Sequence, residues 1–342
     1  MPRELRAVAP KTLEMVEYEE PELKAGQVRV RTEFAAAKHG TEMAMFRGYA
    51  AERGSFNREL GIHEKPEGEG EFWGFTVGNM FVGEVTGVGP DVQNIATGQR
   101  VLGYGGFRET QTVPATGLRM APDGVPWRSA VCLDPADFAM AAVRDGQVRV
   151  GDAVAVFGMG AIGLMAVQIA KSSGAYPVIA VEPLTNRRAA AEACGADLTL
   201  DPTACDAGRE IKLATDKRGA DVVIEYSGAR QALQHALRGV AYGGNVVAGA
   251  FPPPYGAGLD LGAEAHLNVP NIIFSRACSE PNREHPRWDE DRIYATCWRM
   301  ICEGRLSGED VVTPVVPFEE ALEAYMDIDR APENNIKLGV EF

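Results

Sequence analysis

The chain has 342 residues, 45% of them hydrophobic, a length that suggests about two domains with full cores. Its formal net charge of −14 argues against nucleic acid and against anionic membrane surfaces as partners. No apolar run reaches the ~20 residues that span a bilayer, and the first twenty residues hold no apolar signal core, so a cytoplasmic protein is expected.

Residues 1–126 read as β-rich. Apolar and polar positions alternate over 28–32 and in part over 81–85, and glycine turns recur at Gly87, Gly89, Gly98, Gly103 and Gly105-Gly106. Short strands with glycine turns indicate a small barrel. Residues 49–75 break this pattern with charges, glycines and the aromatics Phe56, Phe72, Trp73 and Phe75. They read either as a cover over a substrate or as a surface excursion anchored by its aromatics. Residues 129–146 form a helix in this reading. Strands are then expected at 153–157, 178–182, 197–200, 221–225, 245–249 and 271–275, with helices between them, as at 186–194 and 229–238. Such alternation implies a parallel sheet with right-handed crossovers. Pro252-Pro253-Pro254 closes the fifth strand. Helices follow at 288–303 and 318–329, and residues 335–342 read as a strand returning to the first region. The six cysteines form no C-x-x-C pair and are dispersed, which favours reduced thiols over a disulfide framework. His63, His235 and His266 have no chemistry-bearing neighbours in sequence and read as surface or structural.

The most informative stretch is residues 152–171, DAVAVFGMGAIGLMAVQIAK. An apolar run leads into Gly158-Met159-Gly160-Ala161-Ile162-Gly163, and helical spacing follows. That is the strand, glycine turn and helix that open a dinucleotide-binding unit. Gly158 permits the turn, Gly160 lets a pyrophosphate approach the backbone, and Gly163 lets helix and strand pack closely. Free N–H groups at the helix start face the phosphates. A second apolar run, 178–181, ends at Glu182, placed to accept the hydrogen bonds of the adenosine ribose and to repel a 2′-phosphate. NAD is therefore expected, although Arg187 and Arg188 keep NADP open.

Three segments together resemble the medium-chain dehydrogenase/reductase superfamily, the alcohol and polyol dehydrogenases: VGEVTGVGPDVQNIATGQRVLGYGG at 82–106, the cofactor unit above, and ICEGRLSGEDVVTPVVPFEEALEAYMDI followed by IKLGV. The resemblance implies an α/β architecture: an N-terminal GroES-like β-barrel and a Rossmann domain, a doubly wound parallel sheet of strand order 3-2-1-4-5-6. Its boundaries would be 1–128 for the catalytic barrel, completed by 286–342, and 129–285 for the NAD-binding domain, with a cleft between them. It also implies that Ser227 borders the adenine, that Ala248 and Gly249 border the nicotinamide, and that Lys337 approaches the pyrophosphate. Relatives commonly form homodimers or homotetramers through the last strand of the cofactor domain, here near 271–276.

Zinc-dependent members hold the metal with Cys-Gly-Thr/Ser-Asp, Gly-His-Glu and a later Glu or Cys. Here these segments read His39-Gly40-Thr41-Glu42, Gly78-Asn79-Met80 and Asp134-Pro135, and residues 1–131 contain no cysteine. His39 and Asp134 alone are good ligands, and an amide is a poor third. A metal-free enzyme is expected. Hydride loss from a carbinol carbon requires the hydroxyl proton to leave as well, so side chains must replace the metal. His39 suits proton exchange near neutrality. Lys38 offers a cation or a base, Thr41 stands where the family's relay hydroxyl stands, and Asp134 could orient His39 or bind substrate. Asn79, Arg287 and Trp288 are candidates for the substrate; Arg287 could grip a carboxylate or several hydroxyls, or equally serve as a surface ion-pair partner.

The function expected is an NAD-dependent dehydrogenase oxidising a secondary alcohol of a small-molecule sugar, cyclitol or sugar derivative. The alternatives are a zinc-free enone or quinone reductase and a non-catalytic dinucleotide-binding protein.

Overall fold

The computed structural model describes residues 1–48, 53–65, 74–279 and 281–342. They divide into two compact units, residues 1–127 with 313–342 and residues 128–312. The sequence placed the return to the first unit near residue 286. The structure places it at 312/313, because the helix Glu290–Cys302 packs on the helix Leu133–Asp145 within the second unit.

The first unit is built on one long strand, Gln27–Ala36, which pairs antiparallel with Met80–Val88, Thr110–Pro114 and the C-terminal strand Gly339–Glu341. The alternation in VRV points Val28 and Val30 inward, and both are fully buried, as a half-buried strand requires. The core gathers Leu5, Phe46, Phe81, Phe107, Tyr325 and Leu338. Tyr325, on the helix Ala321–Arg330, meets Phe46 edge-on at 5.7 Å and Phe107 at 6.4 Å. Within residues 49–75, Phe75 pairs in a strand with Ala7, and a short hairpin packs Phe56 edge-on against His63 at 5.1 Å. These two aromatics thus serve the fold. Phe72 and Trp73 lie outside the described residues.

The second unit has a six-stranded, wholly parallel sheet. Numbered along the chain, its strands Val154–Phe157, Val178–Val181, Leu198–Leu200, Ala220–Glu225, Val240–Ala248 and Asn271–Phe274 lie in the order 3-2-1-4-5-6. The first two read VAVF and VIAV and are buried throughout, because helices cover both faces of such a sheet. The fifth strand begins at Val240, earlier than expected, and the helix expected over 129–146 is two pieces, Trp127–Ala130 and Leu133–Asp145. All six cysteines are free thiols. Among the described residues no helix is long and apolar enough to cross a membrane.

Candidate active site

The cofactor cradle lies in the second unit. Strand order reverses between Val154–Phe157 and Ala220–Glu225, and ligands of open α/β sheets bind at the carboxyl ends of the strands at such a switch point. Gly158 follows the first strand with φ +88°, and Gly160 caps the helix Ala161–Ser172. A Cβ on Gly163 would lie 1.9 Å from the Gly158 carbonyl oxygen, whereas a Cβ on Gly160 would meet nothing within 4 Å. Gly163 is therefore packed against the turn, and Gly160 opens onto unfilled space at a helix N-terminus, as a pyrophosphate requires. Met159, in the turn before the N-cap, is fully buried, and Ala161 and Ile162, which begin the helix, are half-buried. The residues present fit a dinucleotide.

This geometry separates two glycines of one motif. Gly160→Ala should leave the urea midpoint unchanged, within about 0.5 kcal/mol as for a change that touches nothing, yet weaken NADH binding by about tenfold or more through loss of phosphate approach. Gly163→Ala should cost about 1–3 kcal/mol of stability by overpacking. Equal NADH affinity for wild type and Gly160→Ala, read by nicotinamide fluorescence, would remove the phosphate from that position.

Glu182 is only 4% exposed. Its carboxylate accepts from the Met159 N–H at 2.7 Å and the Leu184 N–H at 3.2 Å, so the glycine turn and the acid at the second strand's end are fixed to each other. Each oxygen keeps a further lone pair. Burial pulls the Arg187 guanidinium below its ordinary value, and Glu182 beside it pulls the other way. Arg188 donates to the Glu182 and Pro183 carbonyls at 2.8 and 2.6 Å and pairs with Asp201. Ser227 backs the glycine turn, since a Cβ on Gly158 would lie 2.6 Å from its nitrogen. Ala248 ends the fifth strand opposite Glu225. Gly249 faces the Tyr226 ring, which a Cβ would approach to 2.5 Å, so strand packing accounts for this glycine.

The candidate chemistry lies in the first unit, at the start of the helix His39–Phe46, whose N-cap is Lys38. His39 Nε2 accepts from the Leu338 N–H at 3.0 Å. A neutral imidazole has one lone pair, so this bond puts the ring proton on Nδ1. In this arrangement the ring nitrogen that carries the proton is Nδ1, on a residue expected to exchange a proton near neutrality. Lys38 is half-buried and Thr41 exposed. The Asn79 backbone joins both neighbouring segments, its N–H donating to Ala36 and its carbonyl accepting from Gly105. Among the described residues its buried side-chain Nδ2 has no partner, a donor available to a substrate oxygen. Asp134 is buried in the first turn of Leu133–Asp145 in the second unit.

Lys337, expected to approach the pyrophosphate, is 2% exposed, and its Nζ donates to the Ala37 carbonyl at 2.6 Å within the first unit. Arg287 and Trp288 are accounted for otherwise. Arg287, 74% exposed, pairs with Glu284 at 2.6 Å. The Trp288 ring contacts the guanidinium carbons of Arg144 and Arg292 at 3.5 and 4.2 Å, and Arg144 also binds Glu284 at 2.5 Å. This knot ties the 284–288 loop to the end of Leu133–Asp145, because stacked arginines and a shared carboxylate satisfy one another.

Sequence reasoning passed over Glu42. Its Oε1 accepts from the Lys38 N–H at 2.6 Å, and its Oε2 accepts from the Gly78 N–H and the Tyr325 hydroxyl, both at 3.0 Å. Burial pushes its carboxyl up; the Lys38, Gly78 and Tyr325 donors and Lys337 pull it back. A helical glutamate reaching back to its N-cap N–H resembles a capping box displaced by one residue, a signal legible only once the helix start is known.

Zinc does not fit the donor set. His39 Nε2 is committed to Leu338, position 79 offers a neutral amide, and Met80 is buried in the core. Among the described residues no group of three His, Cys, Asp or Glu side chains is arranged to hold a metal.

The chain has a Rossmann unit with its glycine cradle and a barrel-like unit that carries the 38–42 segment, and it is a nicotinamide-dependent oxidoreductase acting on CH–OH groups. The chain belongs to the medium-chain dehydrogenase/reductase superfamily, among the zinc-type alcohol dehydrogenase-like proteins. The zinc-binding dehydrogenase family pattern matches residues 161–279. The chain is 47% identical to the D-guloside 3-dehydrogenase of Escherichia coli K12, over 99% of this chain and 100% of the relative. It is 33% identical to the L-threonine 3-dehydrogenase of Pyrococcus furiosus, over 69% of this chain and 73% of the relative. In fold it matches the galactitol-1-phosphate dehydrogenase of E. coli, with a TM-score of 0.80 and 19% identity over 99% of this chain and 100% of that one.

Proposed function

We propose that the protein is an NAD-dependent, zinc-independent dehydrogenase that oxidises a ring secondary alcohol of a sugar derivative, with a glycoside oxidised at C3 as the first substrate to try. The observation that carries this reading is the 47% identity to a D-guloside 3-dehydrogenase along the whole chain. A bound nicotinamide supplies the hydride acceptor. The chain's residues hold its phosphates at Gly158–Gly163, and the anchored Glu182 carboxylate disfavours a 2′-phosphate, which supports NAD over NADP. His39 Nδ1–H and the Asn79 amide offer hydrogen bonds to a sugar hydroxyl, and Lys38 offers a positive charge to a developing alkoxide. Asp134 is a further candidate for the substrate's proton or hydroxyls.

Purified protein should reduce NAD with a panel of glycosides, keep its rate in chelator, and show a higher kcat/KM with NAD than with NADP. One equivalent of zinc per chain on which activity depends would end the metal-free reading, and no turnover on any glycoside would end the substrate class. The edge strand Asn271–Phe274 leaves Ile272 and Phe274 42% and 77% exposed. Unpaired apolar edges invite another strand, which supports a homodimer or homotetramer built on this edge.

A further inference from the structure

We infer that Glu225 is a positioning residue for the dinucleotide: by holding the turn at residues 226–228 it sets where the glycine turn of the cradle sits. The inference rests on the dinucleotide reading above. Glu225 ends the fourth strand, next to Phe157 at the end of the first, so it stands at the switch point itself. It is 1% exposed, and among the described residues it makes no ion pair.

One oxygen, Oε1, gathers three donors: the Ser227 N–H at 2.7 Å, the Ser227 hydroxyl at 2.5 Å and the Gly228 N–H at 2.9 Å. The same hydroxyl accepts from the Ala229 N–H at 3.1 Å, at the start of the helix Arg230–Gly239. An oxygen that accepts without a proton to place, as a carboxylate's does, suits such convergence of donors. The turn so fixed is the surface on which Gly158 rests, with room for hydrogen alone between them: a Cβ there would lie 2.6 Å from Ser227 N and 2.7 Å from its Cα. Any shift of Ser227 therefore displaces Gly158, and with it the backbone leading to Gly160. A buried carboxylate without a counter-ion costs stability, and the compensating gain here is the placement of a binding turn. The sequence carries the signal twice, since both Val178–Val181 and the apolar run ending at Glu225 close on an acid.

The test is NADH binding to the full chain, read by nicotinamide fluorescence, with KM for NAD and kcat measured on the same variants. Glu225→Ala should raise the NADH Kd by about tenfold or more, and KM for NAD should rise by a larger factor than kcat falls. Glu225→Gln keeps the Oε1 acceptor and should return Kd to within about threefold of wild type. A folded Glu225→Ala variant with wild-type Kd overturns the inference, as does Glu225→Gln binding as weakly as the alanine variant. If Glu225→Ala does not fold, Ser227→Ala takes its place: removal of one of the three donors should weaken NADH binding by about threefold or more, and an unchanged Kd overturns the inference. Wild-type protein that binds no NADH removes the dinucleotide reading itself, an outcome distinct from the others.

Discussion

His39→Ala should lower kcat by about a hundredfold or more, the usual cost of losing one donor to a developing oxyanion, while NADH affinity stays within about twofold. The reasoning starts from the one lone pair of a neutral imidazole. Leu338 N–H occupies Nε2, so what the ring offers a substrate oxygen is the proton on Nδ1. The replacements His39→Asn and His39→Gln then separate. An asparagine amide nitrogen falls near the place of Nδ1 and should retain part of the rate. Glutamine reaches instead toward the place of Nε2, where it can accept from Leu338 but not donate as Nδ1 does, and should behave like alanine. A general base would lose its function equally in all three variants. Steady-state kcat on the best glycoside and NADH titration give the two readouts. Wild-type turnover by His39→Ala would take this residue out of the chemistry.

The largest stability loss should come from Glu42→Ala, at about 3–5 kcal/mol, the range for breaking a buried charge network by removing one member. The carboxylate accepts three hydrogen bonds that join the 38–39 turn, the 78–79 turn and the helix Ala321–Arg330. Its removal strands two backbone N–H groups and the buried Tyr325 hydroxyl, and leaves the buried Lys337 ammonium without the charge that faces it. Tyr325→Phe removes a single donor from the same network and should cost only about 1 kcal/mol. Urea unfolding followed by far-UV circular dichroism measures both. A loss under 1 kcal/mol for Glu42→Ala would mean that water replaces the carboxylate and that the network holds nothing together. Because Asn79 and His39 flank this staple, a folded Glu42 variant should lose turnover before it loses NADH binding.

The sequence alone determined the parallel sheet, the glycine cradle and Glu182. These depend on local facts: apolar runs such as VAVF and VIAV, the spacing of Gly158, Gly160 and Gly163, and an acid closing a strand. Each acts within a few residues, and chain order carries it. The missing cysteine ligands were legible for the same reason. Tertiary structure decided the rest, because direction and burial are not properties of order. Lys337 lies among motif residues, yet its ammonium turns inward to Ala37. Arg287 and Trp288 have the chemistry of a substrate grip and spend it on Glu284, Arg144 and Arg292. The return to the first unit falls at residue 313, because the apolar face of Glu290–Cys302 found the helix Leu133–Asp145. Glu42 looks like any surface acid until folding buries it and brings the Tyr325 hydroxyl to it, since a hydrogen-bond partner hundreds of residues away leaves no mark on the local pattern.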